Sequence, residues 1–176
     1  MRKSPRPSTG WTRPQGRLMG EYAFRSVTGN DLTMLSGWLN QLQVSRWWPN
    51  GADQIAHIRD HIGDPSITPL IVSLGDDPIA YVQHYKARRW PAPQFGHLPH
   101  DTIALDLFSG PIGFGHGGEW LRQLGDQLLE QVSMLAIDPT TDNVAAVRAY
   151  RKAGFDGDVI RPDADGKPVL VMTRRR

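Results

Sequence analysis

Hydrophobic positions along the chain change period several times, and each change predicts an element. Alternation over Tyr22–Val27 predicts a short strand. Thr28 and Asp31 form a T-x-x-D helix-start pattern. Behind it Leu32, Leu35, Leu39 and Leu42 recur at helical spacing, which predicts one helix running up to Trp47-Trp48-Pro49. A second helix is expected over Asp53–Ile62, stopped by Gly63 and Pro65. Two apolar runs, Thr68–Leu74 and Ile79–Tyr85, flank Gly75-Asp76-Asp77-Pro78 and read as an antiparallel hairpin. Residues 87–100 show no period and are rich in proline, which predicts a functional or mobile loop. Thr102–Phe108 reads as a third long strand. A helix carrying Leu121, Leu124 and Leu128 on one face follows, then a strand at Ser133–Ile137 and a helix at Thr141–Ala153. Strands at Val159–Arg161 and Val169–Thr173 complete the series. The order is β-α-α-β-β-β-α-β-α-β-β. It specifies a mixed α/β sheet, antiparallel early and with a βαβ unit later.

Composition narrows this picture. With 176 residues, 39% of them hydrophobic, the chain can bury a core of its own. There is no cysteine, so disulfide and thiolate chemistry are excluded. No apolar run approaches the roughly 20 residues of a membrane helix, and a cytoplasmic location is expected. An isoelectric point near 9.1 points first to nucleic acid. The charge, however, is uneven. Arg2, Lys3, Arg6, Arg13 and Arg17 lie within residues 1–19, which hold no acid. Five of the 20 basic residues are thus set aside, leaving 15 against 18 acids. A basic tail on a mildly acidic body is not a nucleic-acid-binding pattern. Residues 1–19 read as a disordered tail or a non-native extension, with Met19 as a candidate start, and residues 20–176 as one domain.

Chemistry concentrates first where the third long strand meets a helix. Five glycines fall between Gly110 and Gly118. Backbone N–H groups of such a loop can converge on one anion, and the helix that follows adds a favourable dipole. A flexible connector would have the same composition. No Lys-Ser/Thr follows, so this is not a P-loop, and the preceding hairpin argues against a Rossmann site.

The second stretch runs from Ile137-Asp138-Pro139 through Asn143, Ala146, Tyr150 and Lys152-Ala153-Gly154-Phe155. It resembles the second half of the cofactor site of the GNAT acetyltransferases, D-P-x-x-x-N-x-x-A-x-x-x-Y-x-K-A-G-F. Gly113-Phe114-Gly115-His116-Gly117 resembles the phosphate loop of the same family. Trp38-Leu39-Asn40, Trp47-Trp48, Ile79–Tyr85 and Leu105-Asp106 resemble the aminoglycoside 6′-N-acetyltransferases and their siderophore-acylating relatives. Two departures stand out: Ile112 and Phe114 occupy positions where the family commonly has Arg or Gln and a basic residue. Backbone amides must then carry most of the pyrophosphate contact.

The resemblance implies the GNAT fold, with acetyl-CoA as cofactor, no metal, and direct transfer to a primary amine. It places the cofactor along Leu107, Phe108, Gly113, Phe114, Gly115, His116, Gly117, Gly118, Asn143, Ala146 and Tyr150. Catalytic roles fall to Asp106, Asp138 and Tyr150: Asp106 and Asp138 hold or deprotonate the amine, and Tyr150 protonates the departing thiolate. Acceptor contacts fall to Trp47, Gln83, Tyr85, Asp106 and Asp138, with Asp76 or Asp77 as further acidic candidates.

Each residue also has a plainer reading. Asp106 interrupts an apolar strand and could be a solvated strand end. Asp138 could only start a turn, Asn143 could only cap a helix, and Tyr150 and the two tryptophans could only pack. His57 and His61, spaced i, i+4, read as a solvated helix face with no third metal ligand. The expected partner is a small-molecule amine, with no nucleic acid or membrane, and the protein a monomer or homodimer. Two further functions are carried. One is acylation of a siderophore hydroxylamine, which Ser109-Gly110-Pro111 favours and Asp106, where that branch tends to have His, disfavours. The other is a CoA-binding relative without catalysis.

Overall fold

The computed structural model describes residues 22–176; the tail expected at residues 1–19 lies outside them. Seven strands form one sheet in the order β1-β2-β3-β4-β5-β7-β6. Strands β1 (Tyr22–Ser26), β2 (Ile67–Leu74), β3 (Asp77–Lys86) and β4 (Ile103–Ser109) are antiparallel neighbours. β4 pairs in parallel with β5 (Met134–Ile137), across the helix α4 (Gly117–Leu129). β7 (Pro168–Arg175) runs antiparallel between β5 and the edge strand β6 (Asp156–Pro162). This is the mixed sheet that the changes of period predict.

The two faces are covered differently, which follows from strand alternation. Val82, Leu105, Leu135 and Met172 meet Trp120, Leu121 and Leu124 of α4 and Tyr150 of α5 (Val144–Lys152). Ile71, Tyr81 and Phe108 point the other way. There they meet α1 (Leu32–Leu39), α2 (Leu42–Ser45) and α3 (Gly51–His61) through Leu35, Trp38, Leu39, Val44 and Ile58.

Three expectations change. The first helix does not continue to Trp47: it ends at Leu39, and a separate turn of helix starts at Leu42, which is 84% exposed. The leucine spacing therefore overran the apolar stripe. The helix after β5 begins at Val144 and not Thr141, because Asn143 accepts a hydrogen bond from the Ala146 N–H and caps it. The proline-rich segment is anchored. Pro93–Phe95 forms a 3₁₀ turn, and Phe95 and Leu98 pack on Ala104, Met134, Ala136 and Val171.

Candidate active site

Facing positions of β3 and β4 bring the polar residues together. Gln83 lies opposite Asp106, flanked by the pairs Tyr81–Phe108 and Tyr85–Ala104. All six share the face covered by α1–α3. The parallel ladder between β4 and β5 holds only Ile103 to Leu135 and Ala104 to Ala136. Counted two residues further, that register sets Asp106 level with Asp138, where the strands have ceased to pair.

Each carboxylate receives one amide N–H. Gln83 Nε2 donates to Asp106 Oδ2 at 2.8 Å, and Gln94 Nε2 donates to Asp138 Oδ2 at 2.7 Å. Both acids keep some solvent contact at their surfaces yet are enclosed by protein atoms. Burial pushes the Asp106 carboxyl up, opposed by hydrogen bonds from Gln83 and Tyr85 and by the nearby His61. Burial, and then the negative charge of Asp106, push the Asp138 carboxyl up to about 7. Two acids with raised affinity for protons, set side by side, can take a proton from an ammonium near neutral pH.

The glutamine on Asp106 is itself held. Its Oε1 accepts from Tyr81 Oη at 2.8 Å and lies 3.0 Å from His61 Nδ1. His61 sits beside Trp90, ring centroids 5.8 Å apart, and Trp90 packs edge-on against Tyr85 at 4.7 Å. Neither His61 nor Trp90 nor Gln94 belongs to the motifs. Gln94 is buried, and its Oε1 has no partner among the described residues. His61 gave one false signal: its spacing from His57 reads as a solvated face, but at the end of α3 it turns toward the sheet.

Tyr150 comes from α5 and belongs to the core on the opposite face. Even so, its hydroxyl senses both carboxylates: burial first, then Asp106 and Asp138, raise its affinity for the proton. The phenol therefore stays protonated and can act as a proton donor.

The glycine loop departs from β4 at Gly110, which lies flat on the Trp38 ring; a Cβ there would come within 2.6 Å of it. Packing thus accounts for Gly110 in Ser109-Gly110-Pro111. Pro111–Gly113 makes a 3₁₀ turn, and Gly113 presses on the Ile79 carbonyl, where a Cβ would come within 2.0 Å of the oxygen. Gly115 has φ +91°. The N–H groups of Gly113, His116, Glu119 and Trp120 bond within the loop and first turn. Those of Phe114, Gly115, Gly117 and Gly118 have no backbone acceptor among the described residues. They lie at or just before the N-terminus of the 13-residue helix α4, which fits an anion. The side chains of Ile112 and Phe114 are 57% and 49% exposed and carry no charge. His116 is less available than its place in the loop suggests, because Tyr22 Oη lies 3.0 Å from its Nδ1 and also donates to Glu119 at 2.9 Å.

The remaining expected residues fall in three places. Asn143 and Ala146 form the cap of α5. Phe108 is buried against Tyr81 and Trp48, so only its main chain can meet a cofactor, while Leu107 packs toward α4 and α5. Trp47 is half-buried beneath the Arg46 guanidinium, 5.1 Å from its ring centre. Asp77 begins β3, six residues from Gln83 and so about 20 Å away along the strand. The acidic pair is therefore Asp106 and Asp138. Among the described residues no cluster of His, Cys, Asp and Glu could hold a metal, and no helix is long and apolar enough to cross a membrane.

Residues 28–159 match the family model described as an acetyltransferase (GNAT) domain. The chain is 31% identical over 167 residues to the aminoglycoside N(6′)-acetyltransferase type 1 of Klebsiella pneumoniae, across 86% of this chain and 82% of that protein. Its fold is similar to that of aminoglycoside acetyltransferase AAC(6′)-Ib in complex with coenzyme A and kanamycin. The TM-score is 0.76 and the identity 30%, over 89% of this chain and 95% of that one. AAC(6′)-Ib in complex with paromomycin and acetyl-CoA gives the same TM-score at 28% identity, covering 88% and 93%.

Proposed function

The chain belongs to the GNAT acetyltransferase family, and on that premise we propose that it acetylates a primary amine of an aminoglycoside-like polycation. The observation that carries the acceptor is the pair Asp106 and Asp138, two enclosed carboxylates facing one gap in the sheet. Such a pair attracts a polycation and repels an acidic substrate. For the donor, the free amides of Phe114, Gly115, Gly117 and Gly118 fit a pyrophosphate, and bound acetyl-CoA would supply the acetyl thioester.

The residues then divide the proton work. Asp138, ionised above about pH 7, takes a proton from the substrate ammonium, and Asp106 holds the cation beside it. The freed amine nitrogen forms a bond to the acetyl carbon as the bond from that carbon to sulfur breaks. Tyr150 Oη gives its proton to the departing sulfur. The second proton of the amine nitrogen, released as the amide forms, makes good that loss at Tyr150, and the proton on Asp138 leaves to solvent. As Asp138 becomes neutral, part of the negative charge that holds the proton on Tyr150 disappears, so the first transfer makes the second easier. The hydroxylamine reading loses support, since Gly110 is accounted for by Trp38 and Asp106 stands where that branch tends to carry histidine.

The test is release of CoA, followed with a thiol reagent, on adding kanamycin or tobramycin to the protein with acetyl-CoA. Release no faster than background would end the aminoglycoside reading. Tyr150→Phe should lower kcat about tenfold, less than the roughly 100-fold or more typical of a general acid, because a thiolate is a good leaving group. Its affinity for acetyl-CoA by calorimetry should change less than about twofold, because the hydroxyl makes no hydrogen bond among the described residues. A parallel loss of affinity would place Tyr150 in binding and not in proton donation.

A further inference from the structure

We infer that His61 is a positioning residue: it holds the Gln83 side-chain amide in the orientation that turns its N–H toward Asp106. The inference deepens the proposed function and rests on its reading of Asp106 as an acceptor-site carboxylate.

The amide of a glutamine can turn over, exchanging its oxygen and its nitrogen. Between an ionised carboxylate and two groups that can each donate or accept, only one orientation works. Asp106 as a carboxylate can only accept, so Gln83 must offer Nε2, and it does so at 2.8 Å. The amide oxygen then faces Tyr81 Oη at 2.8 Å and His61 Nδ1 at 3.0 Å, and both must donate. His61 therefore carries a proton at Nδ1. Tyr81 is two residues along the same strand and moves with Gln83. His61 is the donor that reaches the amide from a separate element, the last turn of α3. The Trp90 ring lies beside that of His61, tilted 39° to it. Gln83 is 7% exposed, so water cannot readily replace a lost donor, and an unmade bond there is costly.

Without His61 the Gln83 amide is free to turn, and the turned amide presents its oxygen to Asp106. That arrangement suits only the protonated acid. The groups that face Asp106 are Gln83, Tyr81 and Tyr85 from β3, His61 from α3, Asp138 beyond β5 and Tyr150 from α5. Among them Gln83, Tyr85 and His61 favour the ionised form. Loss of His61 removes one of the three directly and loosens a second.

The experiment compares His61→Phe, which keeps a ring and loses the donor, with His61→Asn, whose side-chain amide N–H stands where Nδ1 was. Asp106 is titrated by carbon-13 NMR of aspartate-labelled protein, its signal assigned with Asp106→Asn. His61→Phe should raise the Asp106 midpoint by about 0.5–1 pH unit and lower kcat/KM roughly five- to tenfold. His61→Asn should restore both to within about twofold of the parent. In a Gln83→Leu background, the effect of His61→Phe on both should shrink at least about twofold, because only the direct influence of His61 on Asp106 remains. An unmoved Asp106 midpoint in His61→Phe, or His61→Asn no better than His61→Phe, overturns the inference. If the parent protein acetylates no aminoglycoside, the proposed function falls, and the NMR titration still decides the role of His61.

Discussion

Asp138→Asn should cost at least about 100-fold in kcat/KM, within the range that a general base contributes. It should also remove the dependence on pH near neutrality. The sign follows from the carboxyl being held up at about 7. Below that pH the acid is protonated and cannot accept the ammonium proton. Activity of the parent should therefore rise about tenfold per pH unit toward 7 and then level off. Asp106→Asn removes the neighbouring charge that helps hold Asp138 up. The surviving activity of that variant should rise at lower pH, and because the acids interact, the limb in the parent belongs to the pair. A pH–rate profile for the three proteins checks this. An Asp138→Asn profile parallel to the parent would assign the base elsewhere.

The same substitution should stabilise the fold. An aspartate has an unperturbed value near 3.9, so the folded protein binds this proton more tightly than the unfolded chain. The penalty for burying the charge is absent below about pH 4 and complete above about 7. Three units correspond to an upper limit of about 4 kcal/mol, lessened by the solvent that the carboxylate still reaches. Urea unfolding at pH 8 should show Asp138→Asn to be the more stable protein, and at pH 4 the gain should be gone.

Gly113→Ala should be the most damaging single methyl in the glycine loop. The added Cβ would come within 2.0 Å of the Ile79 carbonyl oxygen and 2.9 Å of its carbon. Both are backbone atoms of β3, and the same carbonyl accepts the Gly110 N–H at 2.7 Å, so neither side yields cheaply. Overpacking of this kind costs about 1–3 kcal/mol or more, a loss of roughly 2–12 °C in Tm for a chain of this size. Displacing the loop also moves the amides that would hold the cofactor, and acetyl-CoA affinity should fall at least about tenfold. Gly117→Ala is the matched control, since its Cβ would meet only the Ala149 Cβ at an ordinary 3.7 Å. Calorimetry and thermal unfolding of the two variants should separate clearly. Equal behaviour would mean that the loop shifts freely and that contact with Ile79 does not set its position.

Much of this was legible in the chain because the signals are local. Alternation in Tyr22–Val27, Ile79–Tyr85 and Thr102–Phe108 marks strands with one face buried, and glycine and proline mark their ends. Asp106, Asp138 and Tyr150 stand out because a charge in an apolar strand and an ordered motif are both properties of short stretches. The break after Leu39 was hidden, since Leu42 keeps the helical spacing while pointing into solvent. Gln94 and His61 were hidden for a different reason. Gln94 meets a carboxylate 44 residues later and His61 meets a glutamine 22 residues later, and no periodicity encodes contacts of that span. What places Gln94 is the burial of Phe95 and Leu98, two apolar residues in a segment whose composition reads as loop.

The uncharged rim of the glycine loop bears on how such a site persists as a sequence drifts. Phosphate sites built from arginine or lysine can be lost by a single substitution at the cation. Here Ile112 and Phe114 present no such group, and the available donors are peptide N–H groups that every residue except proline supplies. Substitution of the exposed side chains leaves those donors in place. If the loop holds the pyrophosphate as proposed, the constraint falls instead on a backbone path, fixed where Gly113 meets Ile79 and where Gly115 turns, and inheritance of the site is inheritance of a shape.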